Sequence, residues 1–148
     1  MPTTDITTKP IEWPELEFEN WKETISTLHL WVQIVGKIRL RQMPWLNHSW
    51  HVTLYLSASG LTTGSIPYPD GAFQIDFDFI RHRLQITTST GGAEALTLHP
   101  RTVADFYREL FEKLTSLGVD VAIRSVPNEA DPAIHMVRGL SFYYINIL

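Results

Sequence analysis

The side chains in this sequence best suited to chemistry are three histidines and a group of aromatic residues around two of them. His48 and His51 stand three apart in the run Pro44-Trp45-Leu46-Asn47-His48-Ser49-Trp50-His51, and His29 lies on a helical stretch upstream. Three imidazoles with an open fourth position would make a zinc site of catalytic type. On a helix, the spacing of three would set His48 and His51 on one face. From Trp50 onward, however, the pattern alternates like a strand, where positions three apart face opposite ways. By that parity His48 and Trp50 go with Val52 and Leu54, and His51 goes with Tyr55. The sequence therefore predicts histidines held in a half-buried hydrogen-bonded network, with no metal and no cofactor.

Trp31, Trp45, Trp50 and Tyr55 add apolar surface with polar edges, the usual make-up of a small-molecule pocket. The expected binding residues are His29, Trp31, Asn47, His48, Trp50, His51 and Tyr55, in a pocket between the first helix and a strand starting near Trp50. No catalytic residue is assigned. Asp76 and Asp78 share a strand face about 7 Å apart, a separation that suits two-carboxylate chemistry. They alternate with Phe73, Ile75, Phe77 and Phe79, so the expected role is a solvated outer face paired with Arg81 or Arg83. No Gly-x-Ser-x-Gly elbow and no cysteine occur, which excludes thiolate chemistry. Gly60, Gly64, Gly71 and Gly91-Gly92 sit at hairpin turns and not between a strand and a helix, so no phosphate-loop fingerprint is present.

The elements that must position these residues can be read from periodicity. Asn20 to Gln42 repeats apolar residues at three and four, with Trp21, Ile25, Leu28, Val32 and Val35 as the expected buried stripe. Asn20 is the expected N-cap and Glu23 its capping-box partner. Leu30, Trp31, Ile34 and Ile38 lie away from that stripe, and only Lys22, Ser26, His29, Gln33 and Lys37 form a polar strip. A helix apolar over most of its circumference is usually covered on two sides. His51 to Ser57 reads as a strand, followed by segments near Ile66, Phe73–Phe79, Leu84–Thr88 and Leu96–Leu98, with a hairpin at Gly91-Gly92. A second helix starts at a Thr102/Asp105 capping box, buries Val103, Phe106, Leu110, Leu114 and Leu117, and ends at Gly118. Val119 to Val126 reads as a last strand. The order α-β-β-β-β-β-α-β predicts an α+β fold, a largely antiparallel meander of five to six strands with both helices on one face. Residues 1–12 read as a disordered lead-in, 13–134 as one domain, and 135–148 as an apolar tail.

Composition narrows the function classes. With 44% hydrophobic and 19% charged residues the chain has the make-up of a soluble globular domain. It carries 12 basic against 16 acidic residues, and its densest basic stretch is Lys37, Arg39, Arg41, so nucleic acid is not an expected partner. No apolar run approaches the roughly 20 residues of a membrane span, so no membrane is expected either. The absence of cysteine and of an apolar leader fits a cytoplasmic location.

Several motifs together resemble a known family: Trp13-Pro14-Glu15-Leu16, Thr27 through Lys37, Pro44 through Tyr55, Gly60-Leu61-Thr62-Thr63, Phe73 through Phe79 with His82, and Val103-Ala104-Asp105-Phe106-Tyr107. They are similar to an uncharacterised, mostly bacterial family, domain of unknown function five-nine-nine-six, from about Trp13 to about Ile134. The resemblance brings no catalytic residues. It implies members about twice as long, with this chain corresponding to a first half and departing from the family pattern after Ile134. The leading expectation is thus a small-molecule-binding domain or half of an enzyme. The rival is a non-catalytic interaction module that meets a second copy or a missing C-terminal half through Trp31, Ile34 and Ile38 or through the C-terminal tail.

Overall fold

The computed structural model describes residues 14–124. A long helix, α1 (Phe18–Gln42), leads into a 3-10 turn (Asn47–Val52), and six strands follow: β1 (Tyr55–Ser57), β2 (Gly60–Thr62), β3 (Ile66–Tyr68), β4 (Gly71–Asp78), β5 (Arg83–Thr88) and β6 (Ala93–Thr97). The second helix, α2 (Val103–Ser116), closes the element order. The sheet is antiparallel throughout, in the order β1-β2-β4-β5-β6, with β3 pairing the first part of β4 and β2 its second part. This is the expected α+β architecture, with six strands.

Period-two alternation sets the layers. Phe73, Ile75 and Phe77 of β4 and Leu84 and Ile86 of β5 are buried, and the residues between them are only partly covered, apart from Asp78 at the end of β4. Their apolar face meets Trp31, Ile34, Val35 and Ile38 of α1 and Phe106, Leu110 and Leu114 of α2 in a single core. At Gly60 the sheet leaves no room for a side chain, because a Cβ there would stand 2.1 Å from the carbonyl oxygen of Phe77 on β4.

The structure agrees with the sequence most closely at α2. Thr102 caps the helix by accepting from the Asp105 N–H at 3.0 Å, and its hydroxyl donates to the Asp105 carboxylate at 2.7 Å, so the expected pair meets at the N-terminus. Gly118 follows with φ of 75°, as a C′ glycine should.

Four expectations are corrected. First, α1 starts at Phe18, and its N-cap is Glu17 without a side-chain bond; Asn20 lies inside the helix. Second, the buried stripe is Trp31, Ile34, Val35 and Ile38, whereas Ile25 is 43% exposed. In the first half of α1 Phe18 and Ile25 are exposed and Leu28 and Leu30 pack only partly against the core, so the C-terminal half supplies the fully buried apolar residues. The interaction face assigned to Trp31, Ile34 and Ile38 is therefore interior to the domain. Third, His51 to Ser57 is not a continuous strand: the 3-10 turn runs through Val52, and only Tyr55–Ser57 pairs with β2. Fourth, Val119–Arg124 carries no strand, although Val119 and Val121 are buried against the core. The lead-in, the end of that expected strand and the apolar tail lie outside the described residues.

Candidate functional site

The chain leaves α1 at Met43 and doubles back through Pro44. His48 (φ 50°) and Ser49 (φ 65°) both adopt the left-handed conformation, which breaks the 3-10 turn in the middle and curls it tightly. Local bonds hold that curl. Ser49 N–H donates to the Leu46 carbonyl at 3.0 Å, and Leu46 N–H donates to His51 Nδ1 at 3.2 Å. The Trp45 ring meets the His51 ring edge-on with centroids 5.2 Å apart. His51 is 2% exposed, and with Nδ1 accepting, its ring proton belongs on Nε2. It pins the turn.

The other residues expected at a site do not converge on His51. His48 and Asn47 are exposed, and Trp50 is 67% exposed. His29, exposed on α1, bonds Gln33 Nε2 at 2.8 Å. Trp31 is fully buried and stacks on Phe106. Tyr55 is half exposed and lies against the Arg39 guanidinium, 5.4 Å from ring centre to carbon. Among the described residues no three His, Asp or Glu side chains stand close enough to share a metal ion.

The two β4 carboxylates are also engaged. Asp76 accepts from Gln74 Nε2 at 2.9 and 3.0 Å. Asp78 accepts from the Arg81 backbone N–H at 2.9 Å and from Arg81 Nη1 at 3.0 Å, with Arg83 Nε at 3.9 Å. The expected arginine partners are present, but Asp78 is buried and not solvated, because the turn after β4 folds over it. The backbone bond from Arg81 first, and then its guanidinium, holds the Asp78 carboxyl below the ordinary carboxylate range. That favours the ionised form of Asp78.

A concave space does lie where α1 faces the segment leading to β1. Val32, Gln33, Gly36, Lys37 and Leu40 form one wall and Val52, Thr53 and Leu54 the other, around about 310 Å³. Gly36 brings the walls together: a Cβ there would stand 3.4 Å from Val52 Cγ1. Three polar residues belong to the lining, Gln33, Lys37 and Thr53. Gln33 Oε1 is buried without a hydrogen-bond partner, its amide nitrogen being taken by His29. Lys37 Nζ donates to the Arg124 carbonyl at 3.1 Å; burial, and then the Arg124 charge, pull its pKa below the ordinary lysine value. A larger hollow of about 630 Å³ runs along α2, but all its lining residues, Tyr107 and Phe111 among them, come from that one helix. A single wall encloses little of a ligand, so the α1 cleft is the better candidate.

The α1 cleft lies at the junction where the sequence reading set a pocket, but it is lined by Val32, Gln33, Gly36, Lys37, Leu40, Val52, Thr53 and Leu54 and by none of the seven expected binding residues. Gln33 and Lys37 stood on the polar strip, where each looked solvated. A sharper signal was available: no Asp or Glu occurs between Thr24 and Pro69, the stretch that builds both walls.

No described helix is long and apolar enough to cross a membrane. No curated protein and no solved structure matches the chain. A family model does match, over residues 13–139, beside the Trp13–Ile134 that the motifs carried. The chain thus belongs to the family of unknown function DUF5996.

Proposed function

We propose that this domain binds a small molecule in the cleft between α1 and the Val52–Leu54 segment. The observation that carries the reading is the lining: aliphatic walls from two separate elements around about 310 Å³, with an unpartnered Gln33 Oε1 and the Lys37 ammonium on one of them. Small-molecule sites combine these features, an apolar enclosure and a few fixed polar groups. Gln33 Oε1 calls for a ligand N–H or O–H, since an unmet buried acceptor costs about 1–3 kcal/mol. His29 keeps a role as the group that orients the Gln33 amide. His48, Asn47 and Trp50 form an exposed rim on the turn that carries the second wall. No reaction is assigned, because among the described residues no Asp or Glu lines the cleft.

A fragment library screened by amide chemical-shift mapping tests the reading. Fragments bearing a hydrogen-bond donor on an aliphatic body should shift Val32, Gly36 and Thr53, and Val52→Trp, which fills the cleft, should abolish those shifts. A library that leaves these amides unmoved would remove the proposal.

A further inference from the structure

A sheet edge open to another strand is a liability, and proteins guard it with a charge, a proline or a covering element. Among the described residues three strands of this sheet have one unpaired side: β1, β3 and β6. β3 carries Pro67, and β6 carries Glu94, which Lys113 and Ser116 of α2 hold. β1, Tyr55-Leu56-Ser57, has none of these devices, and all three of its residues are exposed. Among the described large apolar side chains Leu56 is the most exposed, at 88%.

The chain leading into that edge has the same character. From Gln42 to Pro69 the sequence contains no Asp, Glu, Lys or Arg. Trp45 and Leu46 before the 3-10 turn, Trp50 within it and Tyr55 after it are each more than half exposed. Trp45 and Leu46 are fastened to His51 by a ring contact and a hydrogen bond, so the turn holds them in place. With Leu56, these five side chains leave on the order of 800 Å² of largely apolar surface open, at the size of such groups. A monomer seldom exposes a patch beyond about 300–600 Å², and a standard interface takes about 800 Å² from each partner. Depletion of charge with enrichment of Trp and Tyr is also the make-up of an interface centre. We propose that this surface is the two-fold interface of a homodimer, with β1 of each copy paired antiparallel to β1 of the other. An antiparallel edge permits such self-pairing: a two-fold axis at Leu56 sets Leu56 opposite Leu56 and Tyr55 opposite Ser57 in both directions. The stretch carries no acidic or basic side chain to repel a second copy, and none to select a partner of opposite sign. The dimer is independent of the cleft reading, since Val52, Thr53 and Leu54 line the cleft and β1 begins at Tyr55.

Sedimentation velocity of the full chain over a concentration series tests the dimer. The parent should sediment as a dimer at tens of micromolar. Leu56→Lys sets two ammonium groups across the axis and should raise the dissociation constant by about ten-fold or more. Ala95→Lys, on the exposed β6 edge, should leave it unchanged. Amide exchange gives a readout that needs no variant: the Tyr55–Ser57 amides should exchange more slowly as the concentration rises. A parent that stays monomeric at high concentration would overturn the proposal, as would a dimer that Leu56→Lys leaves intact or that Ala95→Lys weakens equally. Slow exchange of these amides in a dilute monomer would overturn it too, because another part of the same chain would then cover the edge.

Discussion

The indole of Trp31 lies flat on the ring of Phe106, with centroids 4.4 Å apart and planes 8° from parallel. This stack joins α1 to α2 above the sheet, and both residues are fully buried. Phe106→Ala should therefore lower stability by about 3–5 kcal/mol, from lost burial and the cavity left behind. Trp31→Phe should cost much less. Trp31 Nε1 is buried without a partner, so removing it gives up no hydrogen bond and relieves an unmet donor. Urea denaturation of both variants checks the ranking; equal losses would mean that the indole nitrogen matters after all.

Asp78 should make folding sensitive to acid. Its carboxyl is held below its ordinary value in the folded chain, chiefly by the Arg81 backbone N–H and side chain. A depressed carboxyl adds stability that is fully present above the unfolded value, about 3.9, and is lost as pH falls through the lower folded value. Asp78→Asn should melt at a lower temperature than the parent at neutral pH. The gap between the two should close on acidification below about pH 4. A gap that stays constant down to low pH would show that Asp78 acts through packing and not through its charge.

How much of this was legible in the sequence depends on whether the deciding signals were local. The α2 helix could be read completely because its Thr102 cap and its C′ glycine are short-range features of the chain. The stripe of α1 could not. Its apolar residues occupy two faces, and only the position of the sheet decides that Trp31, Ile34 and Ile38 face inward while Ile25 stays exposed. The turn after Pro44 was misread for a different reason: His51 to Leu56 alternates like a strand, and no glycine announces the left-handed residues His48 and Ser49. For the candidate cleft, the lining was not legible, because Gly36 and Val52 come face to face only when helix and turn are brought together. Arg39 looked like one charge in a small surface patch until its burial removed that option.

The left-handed pair gives a direct test of the turn. An L-residue in that conformation carries a penalty of about 1–2 kcal/mol that glycine does not. Ser49→Gly should accordingly raise stability by up to about 1 kcal/mol, part of the gain being offset by the freedom glycine has when unfolded. Ser49→Val should do the opposite, since a β-branched residue fits this region worst. Denaturant midpoints for the two variants should move in opposite directions; a shared direction would mean that the turn does not hold φ positive at this position.

Gly36 separates the demands of the helix from those of the cleft. A glycine inside a helix is less favourable than alanine by about 1 kcal/mol, so its presence in the middle of α1 asks for a reason. The nearest atoms to an added Cβ would be Val52 Cγ1 at 3.4 Å and the Val52 carbonyl oxygen at 3.9 Å, both ordinary contacts. Gly36→Ala should therefore fold and gain up to about 1 kcal/mol. The extra methyl projects between the two walls, so fragment binding should weaken in the same variant. Gain in melting temperature with loss of cleft binding would identify Gly36 as a residue kept for access to the cleft. A variant that is stabilised and binds fragments unchanged would show that the space beside Val52 is not the part of the cleft a ligand uses.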